Sequence, residues 1–282
     1  MTVGEALTYG RERLRVFGDE GRFDALRILE ETLSRNAAWA FAHAEASLDA
    51  FLWQSYAEAI ARRAAGEPVA YIVGSVGFYG RTFAVTPAVL VPRPETEFIV
   101  EIACQTLRAR PSAARVCDVG TGSGILAITL ACELPEARVT AIDISARALE
   151  VAARNAATHG VADRVEFLRG DTFGGIRSGV AFDCIVANLP YIRSDDLEPA
   201  RTALGFEPVA ALDGGSDGLA AYRTLLATAP LRLTAGGLMV MEAGSDTTSR
   251  LAELAAQRFG TRGCVHVHRD YAGHPRIVVV RT

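Results

Sequence analysis

Apolar residues recur at helical spacing in the first part of the chain. Two sets follow steps of three or four residues: Phe23, Leu26, Leu29 and Leu33, and then Leu52, Tyr56 and Ile60. Residues 4–65 contain no run in which apolar and polar positions alternate, as they do in a half-buried strand. The pattern predicts a small all-helical N-terminal domain over residues 1–67.

The pattern changes after Gly66-Glu67-Pro68, which breaks the last of these helices. β-branched and aromatic side chains separated by glycines follow at residues 71–73, 76–79 and 83–85. This composition predicts a β-hairpin linker over residues 68–97. The linker ends in residues 89–97, which two prolines stiffen, and we expect this segment to form a wall of a neighbouring site.

Residues 98–282 alternate between strand-like and helix-like segments. Strands are predicted at residues 116–119, 139–142, 165–168, 182–187, 238–241, 264–267 and 276–280. Only the short turn of residues 270–275 joins the last two strands, so we expect that pair to be antiparallel. The predicted fold class is α/β, with about seven strands in a mainly parallel, doubly wound sheet.

Composition narrows the chemistry of this globular chain. Half of its 282 residues are hydrophobic, enough for a sizeable core. The net charge of −4 argues against a broad nucleic-acid-binding face, which needs clustered basic residues. All 29 basic residues are arginines, and the absence of lysine excludes Schiff-base chemistry and the Walker A phosphate loop.

The cysteines and histidines suggest no metal site. The five cysteines form no C-x-x-C pair and are odd in number, so neither a zinc site nor a disulfide framework is indicated. His266 and His268 alternate in a predicted strand without a third ligand.

The first 17 residues lack an apolar signal region, and no run of about 18 apolar residues occurs anywhere. We expect a cytoplasmic protein that does not enter a membrane.

A glycine-rich turn follows the first predicted strand of the sheet. It consists of Gly120, Thr121, Gly122, Ser123 and Gly124, and Asp143 closes the next strand, where it is placed to accept both hydroxyls of a ribose. Ile125 replaces the third glycine of the dinucleotide fingerprint, which weakens a pyrophosphate reading. A nucleoside cofactor without phosphate, such as S-adenosylmethionine, fits better. Thr172 and its neighbours Asp171 and Phe173 are expected to contact the edge of the adenine.

The second candidate site is the turn Asn188-Leu189-Pro190-Tyr191, which follows an apolar strand. Pro190 ends the strand and restricts the residue before it, so the carbonyl of Leu189 has a fixed direction. The Asn188 amide oxygen and that carbonyl are then able to accept both hydrogens of a planar NH2 group, while Tyr191 stacks on its face. A plain strand-exit turn is the alternative reading of this stretch taken alone.

The order of six segments resembles the peptide chain release factor glutamine methyltransferases (PrmC/HemK). The segments lie at residues 66–74, 78–97, 118–124, 188–191, 207–208 and 212–219. The resemblance runs from about residue 20 to the C-terminus and implies a class I methyltransferase (Rossmann-like) fold. Two departures are visible, because the family has Asn-Pro-Pro-Tyr where Leu189 stands here and often Trp where Thr172 stands.

The resemblance implies methyl transfer from S-adenosylmethionine to the side-chain nitrogen (N5) of the glutamine in the Gly-Gly-Gln loop of release factors. Residues 120–124, Asp143, Thr172 and Asn188 would then line the cofactor, and residues 188–191 the glutamine.

Residues 1–67 carry eight Arg against eleven Asp and Glu, a net charge of −3, so their exposed face is expected to dock a protein. A solvated helical cap is the alternative. We expect a monomer.

Two rival functions use the same residues. The first is an adenine-N6 methyltransferase of nucleic acid, because the exocyclic amine of an adenine would bind to the same turn. Such enzymes need a basic channel or a target-recognition domain, and the sequence shows neither. A nucleoside- or dinucleotide-binding module without methyl transfer is opposed by the broken glycine fingerprint and by the Asn188 turn.

Overall fold

The computed structural model describes residues 1–109, 113–197 and 205–282. The chain forms two compact units, Met1–Ser75 and Val76–Thr282. The sequence predicted an N-terminal helical domain, a linker and a catalytic domain, whereas the residues of the predicted linker are divided between the two units.

The first unit is helical, as the periodicity of its apolar residues predicts. Its helices are α1 (Val3–Arg13), α2 (Gly18–Leu33), α3 (Ala37–Ala42), α4 (Ala50–Ala64) and α5 (Val69–Val73). Side chains of Thr2, Asn36 and Asp49 accept backbone N–H groups at the starts of α1, α3 and α4. The core includes Ile28, Leu29, Tyr56 and Ile60, while Phe23 points to solvent although it follows the helical period.

Residues 71–73 were predicted to be extended, and this prediction is wrong, because they form the end of α5. Pro68 precedes the first turn, and Gly74 ends the helix in the left-handed conformation, with φ of 76°. Val69, Ile72 and Val73 pack against the helical core. The packing of these partly buried side chains overrides their preference for strands.

The predicted hairpin exists but is shorter than residues 68–97. It pairs β1 (Ser75–Phe78) with β2 (Arg81–Ala84). Phe78 and Phe83 are buried in the core of the second unit. Ala84 N also donates to Asn155 Oδ1 at 2.8 Å, and Asn155 Nδ2 donates back to Ala84 O at 3.0 Å. From Val76 onward the hairpin is therefore part of the second unit.

The second unit is built on the seven-stranded sheet that the sequence predicts. Its strands are β3 (Arg115–Val119), β4 (Arg138–Asp143), β5 (Val165–Arg169), β6 (Phe182–Ala187), β7 (Leu233–Glu242), β8 (Cys264–Arg269) and β9 (Pro275–Arg281). The order is β5-β4-β3-β6-β7-β9-β8. The first five run parallel, and β9 is antiparallel to both β7 and β8, which confirms the expectation for the last pair.

Helices cover both faces of this sheet. They are α6 (Glu97–Leu107), α7 (Ile125–Glu133), α8 (Ala146–Thr158), α9 (Ala220–Arg232) and α10 (Thr248–Phe259). Alternate residues of each strand face opposite layers, so Val186 packs with α6 and α7 while Ile185 packs with α9 and α10. In the described ranges, no helix combines the length and the apolar character needed to cross a bilayer.

The strand order reverses beside β3, which has β4 on one side and β6 on the other. In open α/β sheets, a crevice forms at the carboxyl ends of the strands where the connections diverge in this way. The glycine turn follows β3, Asp143 ends β4 and Asn188 follows β6. The topology therefore brings the two predicted sites to one edge of the sheet.

Candidate functional site

The glycine-rich turn between β3 and α7 lines one side of a cavity at this edge. Gly120 and Gly122 have φ of 75° and 56°, in the left-handed region that favours glycine. A Cβ atom on Gly120 would lie 2.6 Å from Cδ2 of Leu189, whereas one on Gly122 would meet nothing within 4 Å. Gly120 is therefore needed for packing, and Gly122 presents bare backbone to open space that a ligand can enter.

Asp143, the last residue of β4, holds this turn through its carboxylate. Gly122 N donates to Oδ2 and Ser145 N donates to Oδ1, both at 2.9 Å. Burial raises the pKa of Asp143, and the bonds from these N–H groups oppose the rise. Each carboxylate oxygen keeps a further lone pair after its backbone bond. The group is therefore able to accept hydroxyl groups of a bound sugar.

A second carboxylate, Asp118, lies inside β3 just before the turn. Thr121 Oγ1 and Ala127 N donate to its Oδ2 at 2.6 and 3.0 Å, and its Oδ1 is buried with no hydrogen-bond partner among the described residues. Burial raises the pKa of Asp118 to about 7, although both bonds oppose the rise. The sequence placed Asp118 in a strand and in the segment 118–124 of the family resemblance, but predicted no role for it in the site. A charged residue inside an apolar strand is the signal for its role in bracing the turn.

The turn after β6 is fixed by side chains from two other elements. Asn188 Nδ2 donates to Thr96 Oγ1 at 3.0 Å, and Leu189 N donates to the hydroxyl of Tyr222 at 3.0 Å. The Leu189 side chain is buried and reaches Gly120. The Asn188 turn and the glycine turn are therefore in direct packing contact.

Behind Asn188 lies a buried glutamate at the end of β7. Thr96 Oγ1 donates to Glu242 Oε2 at 2.7 Å, and the hydroxyl of Tyr191 lies 3.5 Å from Oε1. Burial raises the pKa of Glu242 to about 7 and that of Tyr191 to about 12. Sequence reasoning missed Thr96 and Glu242 as site residues. A glutamate that follows the apolar run of residues 238–241 is the only local signal for the latter.

The cavity bounded by these elements has a volume of about 450 Å³. The predicted site residues that line it are Gly120, Thr121, Gly122, Ser123, Asp143, Thr172, Asn188, Leu189 and Pro190. Two others are placed elsewhere: Gly124 starts α7, packed toward Ile128, and the hydroxyl of Tyr191 faces Glu242. Thr172 has a positive φ of 47° and lines the cavity beside Asp171, while Phe173 is buried in the core.

The proline-stiffened segment forms another wall, as its sequence predicts. Val89, Leu90, Pro92 and Arg93 line the cavity. Arg93 Nη2 donates to Glu207 Oε1 at 2.5 Å, and Val91 N donates to Glu207 Oε2 at 3.0 Å. The buried Glu207 carboxylate thus fixes the segment in two places.

Two protein-family models match the chain. A PrmC N-terminal domain matches residues 5–74, and a methyltransferase domain matches residues 111–263. The release factor glutamine methyltransferase of Bordetella pertussis is 43% identical over 256 residues, covering 91% of this chain and 93% of the relative. The enzyme of the same name from Xylella fastidiosa strain 9a5c is 42% identical over 277 residues, covering 98% and 96%.

Two solved methyltransferase structures resemble the chain. A 16S rRNA N2 G1207 methyltransferase from Thermus thermophilus has a TM-score of 0.54 and 17% identity, over 74% of this chain and 49% of that one. A release-factor-specific protein-(glutamine-N5) methyltransferase from Alicyclobacillus acidocaldarius is 30% identical over 71% of this chain and 98% of its own, with a TM-score of 0.43. The first likeness shows a class I methyltransferase fold.

Proposed function

Since the chain belongs to the release factor glutamine methyltransferase family, we propose that it transfers a methyl group from S-adenosylmethionine to N5 of the glutamine in the Gly-Gly-Gln motif of peptide chain release factors. One observation carries the proposal: a single cavity contains both the Asp143-braced glycine turn and the Asn188-Leu189 turn. The first suits a nucleoside, and the second suits a planar NH2 group.

The residues on the cofactor side fit S-adenosylmethionine. The cavity of about 450 Å³ lies within the usual range for small-molecule sites. The open space at Gly122 admits a ligand against the backbone, and the Asp143 oxygens have lone pairs for the ribose hydroxyls. Thr172 and Asp171 line the same cavity and are assigned to the adenine. When bound, S-adenosylmethionine supplies an electrophilic methyl group on a sulfonium.

The Asn188 turn orients the target nitrogen. The NH2 group of Asn188 donates a hydrogen bond to Thr96, so Oδ1 of Asn188 is free to accept a hydrogen bond from the substrate. The hydroxyl of Tyr222 donates to Glu242 O, and the carbonyl of Leu189, 3.5 Å from that hydroxyl, keeps acceptor capacity. Together the two oxygens hold both hydrogens of the glutamine NH2 group and thereby direct its nitrogen.

Catalysis on an amide depends mainly on this positioning. The nitrogen lone pair is delocalised into the carbonyl, and no side chain at neutral pH removes its proton beforehand. Two acceptors on the NH2 hydrogens raise the electron density of the nitrogen as the new bond forms. Holding the nitrogen in attacking geometry contributes up to about 7–11 kcal/mol in favourable cases. The proton leaves to solvent after transfer.

The first unit is assigned to substrate docking. Residues 5–74 match the PrmC N-terminal domain, and residues 1–67 have a net charge of −3. Phe23 and Phe51 are 73% and 75% exposed on its surface, and the proposal assigns them to aromatic contacts with the protein partner. The same proposal has the enzyme act in the cytoplasm as a monomer, on release factors and not on nucleic acid.

The direct test is mass spectrometry of a release factor after incubation with the enzyme and S-adenosylmethionine. We expect a single methyl group on the glutamine of the Gly-Gly-Gln loop. Asn188→Ala serves as the matched variant and should lose about 100-fold or more in kcat while cofactor affinity falls less. Methylation of an adenine-containing oligonucleotide, with the release factor left unmodified, would refute the assignment.

Docking is tested in the full-length chain with Phe23→Ser and Phe51→Ser together. We expect KM for an intact release factor to rise at least about tenfold, because hot-spot aromatics contribute more than about 1–2 kcal/mol to an interface. KM for a short Gly-Gly-Gln peptide should stay unchanged. Leu231→Ser is the control, since Leu231 is 74% exposed on the second unit. Equal losses on protein and peptide would show that the helices only stabilise the fold.

A further inference from the structure

A chain of hydrogen bonds connects the catalytic turn to the interior of the second unit. Asn188 Nδ2 donates to Thr96 Oγ1 at 3.0 Å, and Thr96 Oγ1 donates to Glu242 Oε2 at 2.7 Å. The Thr96 side chain is fully buried, and Glu242 is only 1% exposed. The three residues come from three elements, the turn after β6, the start of α6 and the end of β7.

The direction of these bonds follows from the chemistry of the groups. When Glu242 is ionised, its carboxylate only accepts hydrogen bonds, so the single hydroxyl hydrogen of Thr96 is then committed to it. The hydroxyl therefore turns a lone pair toward Asn188. Only the NH2 group of Asn188 can meet that lone pair favourably, because Oδ1 in its place would be repelled. The chain thus allows one of the two amide orientations of Asn188.

From this geometry we propose that Thr96 and Glu242 are positioning residues, which hold the Asn188 amide so that its oxygen faces the substrate NH2 group. The inference rests on the proposed function and names residues of the same site. Without the chain, Asn188 is free to rotate its amide by half a turn and present hydrogens to the substrate hydrogens. The rotated form binds the glutamine NH2 group poorly and does not orient its nitrogen.

The surroundings of Glu242 hold it in place for this role. Tyr191 OH approaches its second oxygen at 3.5 Å, and Tyr222 OH donates to its backbone carbonyl. The charged and titratable groups that act on it are Glu95, Arg276 and Tyr191. Met241, the residue before Glu242, pairs with Ala187, the residue before Asn188. The strands of the sheet therefore fix the separation between Glu242 and the turn.

The decisive experiment compares Thr96→Val with Thr96→Ser on the Gly-Gly-Gln peptide. Valine has nearly the same shape but no hydroxyl, whereas serine keeps it. We expect Thr96→Val to lower kcat about 10- to 100-fold, somewhat less than the loss of a group that touches the substrate. Thr96→Ser should stay within about threefold of the wild type. The Kd for S-adenosylmethionine should change less than about twofold in both variants.

A double-mutant cycle separates positioning from a general structural role. If Thr96 acts through Asn188, Thr96→Val should cost nothing further in the Asn188→Ala background. Single-turnover mass spectrometry over hours measures the slow variants. An additional loss of the same 10- to 100-fold would overturn the proposal, as would a Thr96→Val variant with normal kcat. An inactive wild-type enzyme would refute the proposed function instead.

The pH profile of kcat gives a second readout that does not need the Thr96→Val variant to fold. A protonated Glu242 is able to donate to Thr96, whose hydrogen then turns to Asn188 and favours the unproductive amide orientation. We expect kcat of the wild type to fall on the acid side, and Glu242→Gln to remove this fall. An acid limb that persists unchanged in Glu242→Gln would count against the proposal.

Discussion

Replacing Asp143 tests its proposed role in binding S-adenosylmethionine. In Asp143→Ala, both carboxylate oxygens disappear from the end of β4, and with them the acceptors of Gly122 N and Ser145 N. Under the proposed function the same oxygens accept the ribose hydroxyls. A hydrogen bond to a charged group contributes about 1.5–3 kcal/mol, so the Kd for S-adenosylmethionine should rise about 10- to 150-fold.

The variant also loosens the turn, and the measurement has to separate this effect from binding. Isothermal titration calorimetry gives the affinity, and urea unfolding of the ligand-free protein gives the stability. Ser145→Ala is a matched control at the same strand exit. It removes the hydroxyl that accepts a hydrogen bond from Ala148 N, at a cost of about 1 kcal/mol of helix capping. The bonds from Gly122 N and from the backbone N–H of residue 145 to the Asp143 carboxylate remain.

We expect the Kd of Ser145→Ala to stay within about twofold of the wild type. Asp143→Ala with unchanged calorimetric affinity would refute the assignment of this carboxylate to the ribose. Equal losses of affinity in Asp143→Ala and Ser145→Ala, with equal losses of stability, would attribute the effect to the turn alone.

Two further predictions concern buried polar groups. Asn155→Ala removes an amide that forms hydrogen bonds with Ala84 N, Ala84 O and Ser123 O, at 2.8–3.0 Å. Each group left unpaired costs about 1–3 kcal/mol, so the unfolding free energy in urea titrations should fall by about 3 kcal/mol or more. A change under about 1 kcal/mol would contradict the role of Asn155 in holding the hairpin. Burial raises the pKa of Asp118 to about 7, so the folded state binds this proton more tightly than the unfolded chain, and the stability present below about pH 4 should be lost as pH rises to about 7. Unfolding free energy measured across that range should decline less steeply in Asp118→Asn than in the wild type, and equal slopes would contradict the raised pKa.

The sequence predicted the sheet because its central strands, such as β3 and β6, are short apolar runs closed by a turn residue. It also predicted the cavity residues that lie at strand ends, such as Asp143 and Asn188, since the carboxyl ends of parallel strands meet at one edge. The resemblance to the release factor glutamine methyltransferases was confirmed by relatives at 42–43% identity.

Other features depend on contacts between distant segments, which a single sequence does not display. Thr96 and Glu242 lie 146 positions apart yet share a hydrogen bond. The helix at residues 69–73 forms because its side chains meet a core made by earlier helices. The position of β9 between β7 and β8 is likewise set by pairing and not by order along the chain.

The bond from Leu189 N to Tyr222 has a consequence for how this enzyme tolerates mutation. Relatives with proline at this position have no N–H there, and the ring itself stiffens the turn. Here part of that stiffness comes from Tyr222 on α9, which is packed on the sheet through Leu225, Leu226 and Ala229. The conformation of the turn therefore depends on how α9 packs against the sheet. Substitutions in the buried face of α9 should therefore reduce turnover before they unfold the protein, although they lie outside the cavity.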